Sequence, residues 1–205
     1  MTPRARIPAL LAALLLAAPL VGCMTEPEPL ETPLQTIPAP TTPAEPSPTP
    51  TDAAEAGPGG IDPIELGMPF DEALAAAGAS PVGACEWVAT APGDGYTLSI
   101  QRVEPAAGDP PPVELVSTSA PVDAARVVGP RTAAGIGIGS TVEEALAAYP
   151  DAESLAPDGM GDRRYLRVET GDGAQALFLT YTEGQPLIWA VTATTFEVPP
   201  YEPCA

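Results

Sequence analysis

An internal repeat constrains this chain more than any other feature of its sequence. Residues 66–78, LGMPFDEALAAAG, align with residues 138–150, IGSTVEEALAAYP, at a constant offset of 72 positions. In each copy a glycine turn precedes a short run whose apolar residues recur at i, i+3, i+4 and i+7, which is typical of one helix face packed on a core. The repeat predicts that one structural unit is used twice.

Both predicted helices carry end signals. Pro69 stands where the first can begin, and Ser140 or Thr141 provides an N-terminal cap for the second, with acidic residues in its first turn. Gly78 and Pro150 are expected to end the two helices.

Three extended runs follow each predicted helix, and Gly-Asp-Gly turns interrupt them at residues 93–95 and 171–173. The sequence therefore predicts an α+β fold with two tandem repeats, 61–125 and 126–205. Each repeat would hold one helix and a three- or four-stranded antiparallel sheet, and a disordered Pro-rich tether would precede both.

Alternation in the strands assigns their faces. In residues 96–101 apolar positions alternate with Thr97, Ser99 and Gln101, so one side faces a helix and the other faces solvent. In residues 176–181 both sides are fairly apolar. The surplus apolar face is either a contact between the two lobes or a binding surface for a partner.

The doubled pattern of a glycine turn, a Glu-Glu-Ala-Leu-type helix and antiparallel strands resembles the β-lactamase-inhibitor-protein fold. Its single-copy relative is the small lipoprotein of the outer-membrane barrel-assembly machinery. The resemblance lies in residues 66–78, residues 138–150 and the strand order. It implies a protein that binds other proteins rather than a catalyst, because the inhibitor uses its sheet faces for binding.

The N-terminal residues 1–22 have the layout of a secretory signal: two arginines, an apolar run and small residues. The residues Leu20, Val21, Gly22 and Cys23 resemble the bacterial lipobox, which implies a signal peptide cut before a lipid-modified Cys23. Acyl chains on that sulfur would hold the protein in the lipid bilayer, at the outer face of the bacterial cell membrane. The alternative is an ordinary signal peptide with an incidental cysteine.

Residues 23–60 form the predicted tether. Ten of the 37 residues from 24 to 60 are proline, mixed with threonine and glutamate. This composition buries too little apolar surface to offset the entropy of ordering, so an extended, disordered segment is expected.

Cys85 and Cys204 remain once Cys23 is acylated. Outside the cell they are expected to form a disulfide bond that closes a loop of more than a hundred residues, worth about 4 to 5 kcal/mol in a chain-entropy model. The alternative is two free thiols.

Charge and composition exclude several functions. The net charge of −19 makes nucleic-acid binding very unfavourable, and the absence of histidine removes Ser/His and Cys/His dyads and histidine metal ligands. Neither a cofactor nor a metal site is predicted, because the Gly-Asp-Gly triplets and residues 158–162, DGMGD, are better explained as turns than as calcium loops.

A few side chains are candidates for a binding surface. Arg163, Arg164 and Arg167 either bind a carboxylate or phosphate group or neutralise an acidic surface. Trp87 and Trp189 are either core residues or interface anchors.

The sequence predicts a monomeric, non-catalytic module that binds an unknown envelope or extracellular protein. The alternatives are a hydrolase of wall polymers with paired carboxylates, and an enzyme inhibitor of the β-lactamase-inhibitor type.

Overall fold

The structure of the 205-residue chain is a computed structural model that describes residues 54–102, 111–122, 127–169 and 173–204. The predicted signal peptide, Cys23 and nearly all of the predicted tether lie outside the described residues. The described part holds two helices and eleven strands: β1 (Ala56–Gly57), β2 (Gly60–Ile61), β3 (Ile64–Glu65), α1 (Phe70–Ala77), β4 (Ser80–Val82), β5 (Cys85–Pro92), β6 (Thr97–Arg102), β7 (Val113–Ser119), α2 (Val142–Ala148), β8 (Glu153–Leu155), β9 (Arg163–Glu169), β10 (Ala176–Thr182) and β11 (Ala190–Thr194).

The two helices begin in different ways. Pro69 is the N-cap of α1 and makes no side-chain cap, whereas Thr141 caps α2 in a capping box with Glu144. Thr141 Oγ1 accepts from the Glu144 amide at 3.1 Å, and Glu144 Oε2 accepts from the Thr141 amide at 2.7 Å. Of the two predicted cap residues, Thr141 is therefore the one used. Gly78 ends α1 in the left-handed conformation, with φ of 62°, which a glycine adopts without a Cβ penalty.

Eight strands form one antiparallel sheet in the order β4-β5-β6-β7-β11-β10-β9-β8. The strands β7 and β11 meet at its centre, where Ser119 pairs with Ala190 and Leu115 pairs with Thr194. Strands that are far apart in the sequence thus become neighbours in the middle of the sheet.

The predicted fold class is wrong. The described part of the chain is mostly β, with a three-stranded and an eight-stranded antiparallel sheet, and it is not an α+β fold of two tandem helix-plus-sheet repeats. The physical reason is the β7–β11 pairing, which merges all the longer strands into one continuous sheet. Sequence periodicity predicts where strands occur but carries no information on which distant strands pair.

The three-stranded sheet β1-β2-β3 was not predicted. Its strands have two residues each, too short for an alternation pattern, and β1 lies before residue 61, where the first repeat was expected to begin. Ile61 and Ile64 pair with each other and are almost fully buried, so this sheet adds to the core.

The main core lies on one face of the eight-stranded sheet. Ala73 of α1 and Ala145 of α2 are completely buried there, together with Ile61 and Ile64 of the small sheet. The eight-stranded sheet contributes side chains that alternate toward the helices: Ile100, Val116, Leu177, Leu179, Val191 and Ala193. This arrangement leaves the opposite face of the sheet for other contacts.

The two edges of the large sheet are short. β4 has three residues, contains Pro81 and shows a register shift between Pro81 and Val82. β8 also has three residues, of which Glu153 and Ser154 are exposed.

Candidate binding groove

The face of the sheet that points away from the helices is rich in hydroxyl groups. Residue alternation places Ser99 of β6, Ser117 and Ser119 of β7, and Thr192 of β11 on this face. Ser117 pairs with both Ser99 and Thr192, and the hydroxyl groups of Ser117 and Thr192 hydrogen-bond at 2.7 Å. Ser99 and Gln101 thus lie on the side away from the helices, as the alternation predicts, but Gln101 is buried rather than exposed to solvent.

The C-terminal residues 198–204, here called the strap, run along this face. Val198 packs against the buried cluster of Tyr165, Ala176 and Phe178, which is the surplus apolar side predicted for residues 176–181. The predicted alternatives for that side were a lobe contact and a partner surface. Instead, the chain's own strap covers part of it.

Two contacts fix the end of the strap. Cys204 forms a disulfide bond with Cys85, with 5.7 Å between their Cα atoms and 119 positions between them in the sequence. The predicted bridge is therefore confirmed. Trp87 donates its indole N–H to the carbonyl oxygen of Pro203 at 2.6 Å.

A groove of about 210 Å³ lies between the strap and the sheet. The sheet contributes hydroxyl and amide side chains, and the strap contributes proline rings and Tyr201. The lining residues are Ser99, Gln101, Leu115, Ser117, Ser119, Arg163, Tyr165, Thr180, Trp189, Ala190, Thr192, Pro199, Pro200, Tyr201 and Pro203. Arg163 is the only charged residue among them.

The guanidinium of Arg163 lies against two aromatic rings. Its Cζ atom is 5.0 Å from the ring centroid of Trp189 and 4.7 Å from that of Tyr201. These distances are within the range of a cation–π interaction. The indole Nε1 of Trp189 is buried and has no hydrogen-bond partner among the described residues.

The structure brings two of the four predicted binding-surface residues together and separates the others. Arg163 and Trp189 meet in the groove. Arg164, the next residue, forms an ion pair with Glu183 and donates to the carbonyl oxygen of Gly161 at 2.9 Å. Trp87 holds the strap rather than lining the groove.

Arg167, on the same side of β9 as Arg163, has ion-pair partners. Its Nη1 lies 2.7 Å from Glu169 Oε1 and 3.6 Å from Glu153 Oε2. This is the neutralising role that the sequence allows for the arginine group. Two of the acids in this part of the surface are therefore engaged with a cation.

No carboxylate side chain of the described residues lines the groove, although the chain holds 27 acidic residues. Glu114 on β7 is not among the residues that line the groove. Burial raises the pKa of its carboxyl group. Among residues 54–102, 111–122, 127–169 and 173–204, no group of three or more His, Cys, Asp or Glu side chains is arranged to hold a metal ion.

Sequence reasoning missed most of the groove. The strap prolines and the hydroxyls of β7 and β11 were not identified, because their proximity depends on the β7–β11 pairing and on the path of the C-terminus. The proline-rich stretch before Cys204, VPPYEPC, was the one local signal available.

Comparisons with known proteins give one distant structural likeness. No protein-family model matches the chain, and no curated protein matches it. The structure is similar to that of a DUF4309 family protein, YjgB, from Bacillus subtilis, with a TM-score of 0.47 and 12% sequence identity. The likeness covers 69% of this chain and 87% of that chain.

Within the described residues, neither helix has the length and apolar character needed to cross a membrane.

Proposed function

We propose that this protein is a non-catalytic binding module of the bacterial cell envelope, anchored through acylated Cys23, that captures a protein partner in the groove between its sheet and its strap. The observation that carries the proposal is the groove itself. It combines aromatic rings, hydroxyl groups and one cation, which is a composition suited to recognition.

Binding rather than catalysis is supported by the chemistry of the lining residues. The chain contains no histidine, and the Ser117 hydroxyl is paired with the Thr192 hydroxyl instead of a general base. A hydrolase of the paired-carboxylate type needs two acids facing one cleft, and no acid within residues 54–102, 111–122, 127–169 and 173–204 lines this groove.

Envelope anchoring is supported by the residues around Cys23 and by the proline-rich segment that follows it. An acylated cysteine followed by an extended tether would hold the groove away from the lipid surface. The test is metabolic labelling with palmitate. Label is expected on the wild-type protein in the membrane fraction and absent from Cys23→Ser. An unlabelled wild-type protein released into the medium would contradict the anchor.

Partner capture is tested by site-specific photocrosslinking in intact cells. A benzophenone side chain at Ser119 would lie in the groove, and one at Leu146 would lie on the exposed side of α2 as a matched control. We expect a discrete protein adduct from position 119 that is absent from position 146. Adducts of the same size and yield at both positions would contradict the groove as the binding surface.

A further inference from the structure

We propose that the group bound in the groove is a peptide carboxylate, held by the guanidinium of Arg163. This inference rests on the proposed binding function and specifies the chemistry of the bound partner. Its support comes from the contacts of Arg163, the charges around it and the donor geometry of a guanidinium.

The guanidinium of Arg163 has aromatic contacts but no hydrogen-bond acceptor among the described residues. The Cζ atom of Arg163 lies over the rings of Trp189 and Tyr201. A guanidinium carries five N–H donors, which can serve an acceptor in addition to such ring contacts. Among the described residues, no carboxylate pairs with Arg163 and no oxygen accepts a hydrogen bond from its guanidinium. The ring contacts thus hold a cation whose guanidinium N–H donors have no acceptor in the described part of the chain.

Arg163 differs from the neighbouring arginines, which are paired with acids. Arg164 is paired with Glu183, and Arg167 is paired with Glu153 and Glu169. The chain holds 27 acidic residues, so acids that could pair with Arg163 are abundant in it. Instead, none of the acidic residues that the structure describes lines the groove around Arg163. A cation without a counterion among the described residues, in a groove that none of the described acids lines, favours an anionic ligand.

The charge and shape of a guanidinium favour a carboxylate over a phosphate in this groove. A guanidinium and a carboxylate match as a planar pair with two parallel hydrogen bonds, and one cation neutralises one carboxylate. A phosphate dianion would need a second cation, and the described lining residues offer none. The hydroxyls of Ser119 and Thr180 and the strap prolines then supply polar and apolar contacts for the rest of a peptide.

The probe is an acetylated and amidated hexapeptide of alternating serine and glutamate, compared with the same peptide containing glutamine in place of glutamate. Titrations are followed by NMR through the Arg163 Nε and Trp189 Nε1 signals. They are run at about 0.15 M salt, where long-range repulsion by the acidic protein is screened beyond about 8 Å. We expect saturable shifts at both signals with the glutamate peptide and at least about tenfold weaker binding of the glutamine peptide.

Two variants form a matched pair. Arg163→Gln and Arg164→Gln change the net charge equally at adjacent positions, but only the first removes a groove residue. We expect Arg163→Gln to weaken binding of the glutamate peptide at least about tenfold and Arg164→Gln to leave it unchanged. Equal losses in the two variants would overturn the proposal, because they would indicate non-specific charge attraction.

Two further outcomes would also overturn it. One is inorganic phosphate shifting the Arg163 and Trp189 signals at the same concentrations as the glutamate peptide. The other is a crosslinked adduct at position 119 that forms equally well in Arg163→Gln. In that second case the groove would still be a binding surface, and only the assignment of a carboxylate would fail.

Discussion

Two threonines near the centre of the large sheet differ in the hydrogen bonding of their hydroxyl groups. Thr118 of β7 points to the helix side and is completely buried, and its Oγ1 has no partner among the described residues. Its strand neighbours in register are Leu98 and Val191, so its surroundings are apolar. Thr192 is also buried, but its hydroxyl is bonded to Ser117.

We predict that Thr118→Val stabilises the fold. Replacing the unpaired hydroxyl by a methyl group of similar size removes the cost of burying it, so the free energy of unfolding should rise by about 1 kcal/mol. Urea denaturation monitored by circular dichroism measures the change. A lower free energy of unfolding would show that the hydroxyl has a partner that the structure does not reveal.

Thr192→Val is the matched control for this prediction. The same chemical change there breaks the 2.7 Å hydrogen bond and leaves the Ser117 hydroxyl without its partner. Its free energy of unfolding should fall by about 1 kcal/mol. Opposite signs for the two variants would identify hydrogen bonding, rather than side-chain shape, as the cause.

Residue positions alone did not reveal the different roles of the arginines. Arg163, Arg164 and Arg167 fall within five positions, and the sequence leaves open whether they bind or neutralise. Strand alternation could have predicted that Arg163 and Arg164 point to opposite faces of the sheet. It could not show that Arg167 meets Glu153 or that Tyr201 lies against Arg163, since both contacts join residues from different elements.

At the level of elements, α2 depends on its N-terminal cap. The helix has seven residues and buries only Ala145 completely, so packing contributes less than in a long amphipathic helix. The capping box pairs two amide groups that would otherwise have no partner within the helix.

We predict that Thr141→Ala lowers the free energy of unfolding by about 1 kcal/mol, because the Glu144 amide loses its acceptor. Thr141→Ser keeps the hydroxyl and should recover most of that loss. Chemical denaturation of both variants measures the difference. Equal destabilisation by alanine and serine would indicate that the Thr141 methyl group, rather than the cap, is important.

Local elements were the predictable part of this fold. Helix positions, the cap region of α2 and the alternation in β6 depend on residues a few positions apart, and those predictions agree with the structure. The pairing of β7 with β11 joins residues that are 71 to 79 positions apart, such as Ala190 with Ser119 and Thr194 with Leu115. The disulfide bond that fixes the end of the strap joins residues 119 positions apart. The fold class and the groove could not be predicted for that reason.

For the molecule as a whole, the disulfide bond joins the end of the chain to β5. We predict that the double variant Cys85→Ser, Cys204→Ser loses about 2 to 5 kcal/mol of unfolding free energy, because the unfolded chain regains the freedom of a long loop. Urea denaturation with and without a reducing agent measures it. Identical unfolding midpoints for oxidised and reduced wild-type protein would contradict the prediction.

The short margins of the large sheet have a consequence for crowded conditions. A strand edge with free amide and carbonyl groups can add a strand from another molecule, and long, flat edges make proteins polymerise. Here one margin is interrupted by Pro81 and the other is three residues long with an exposed Glu153. We therefore expect that copies at high local concentration do not add strands to one another and do not form fibrils.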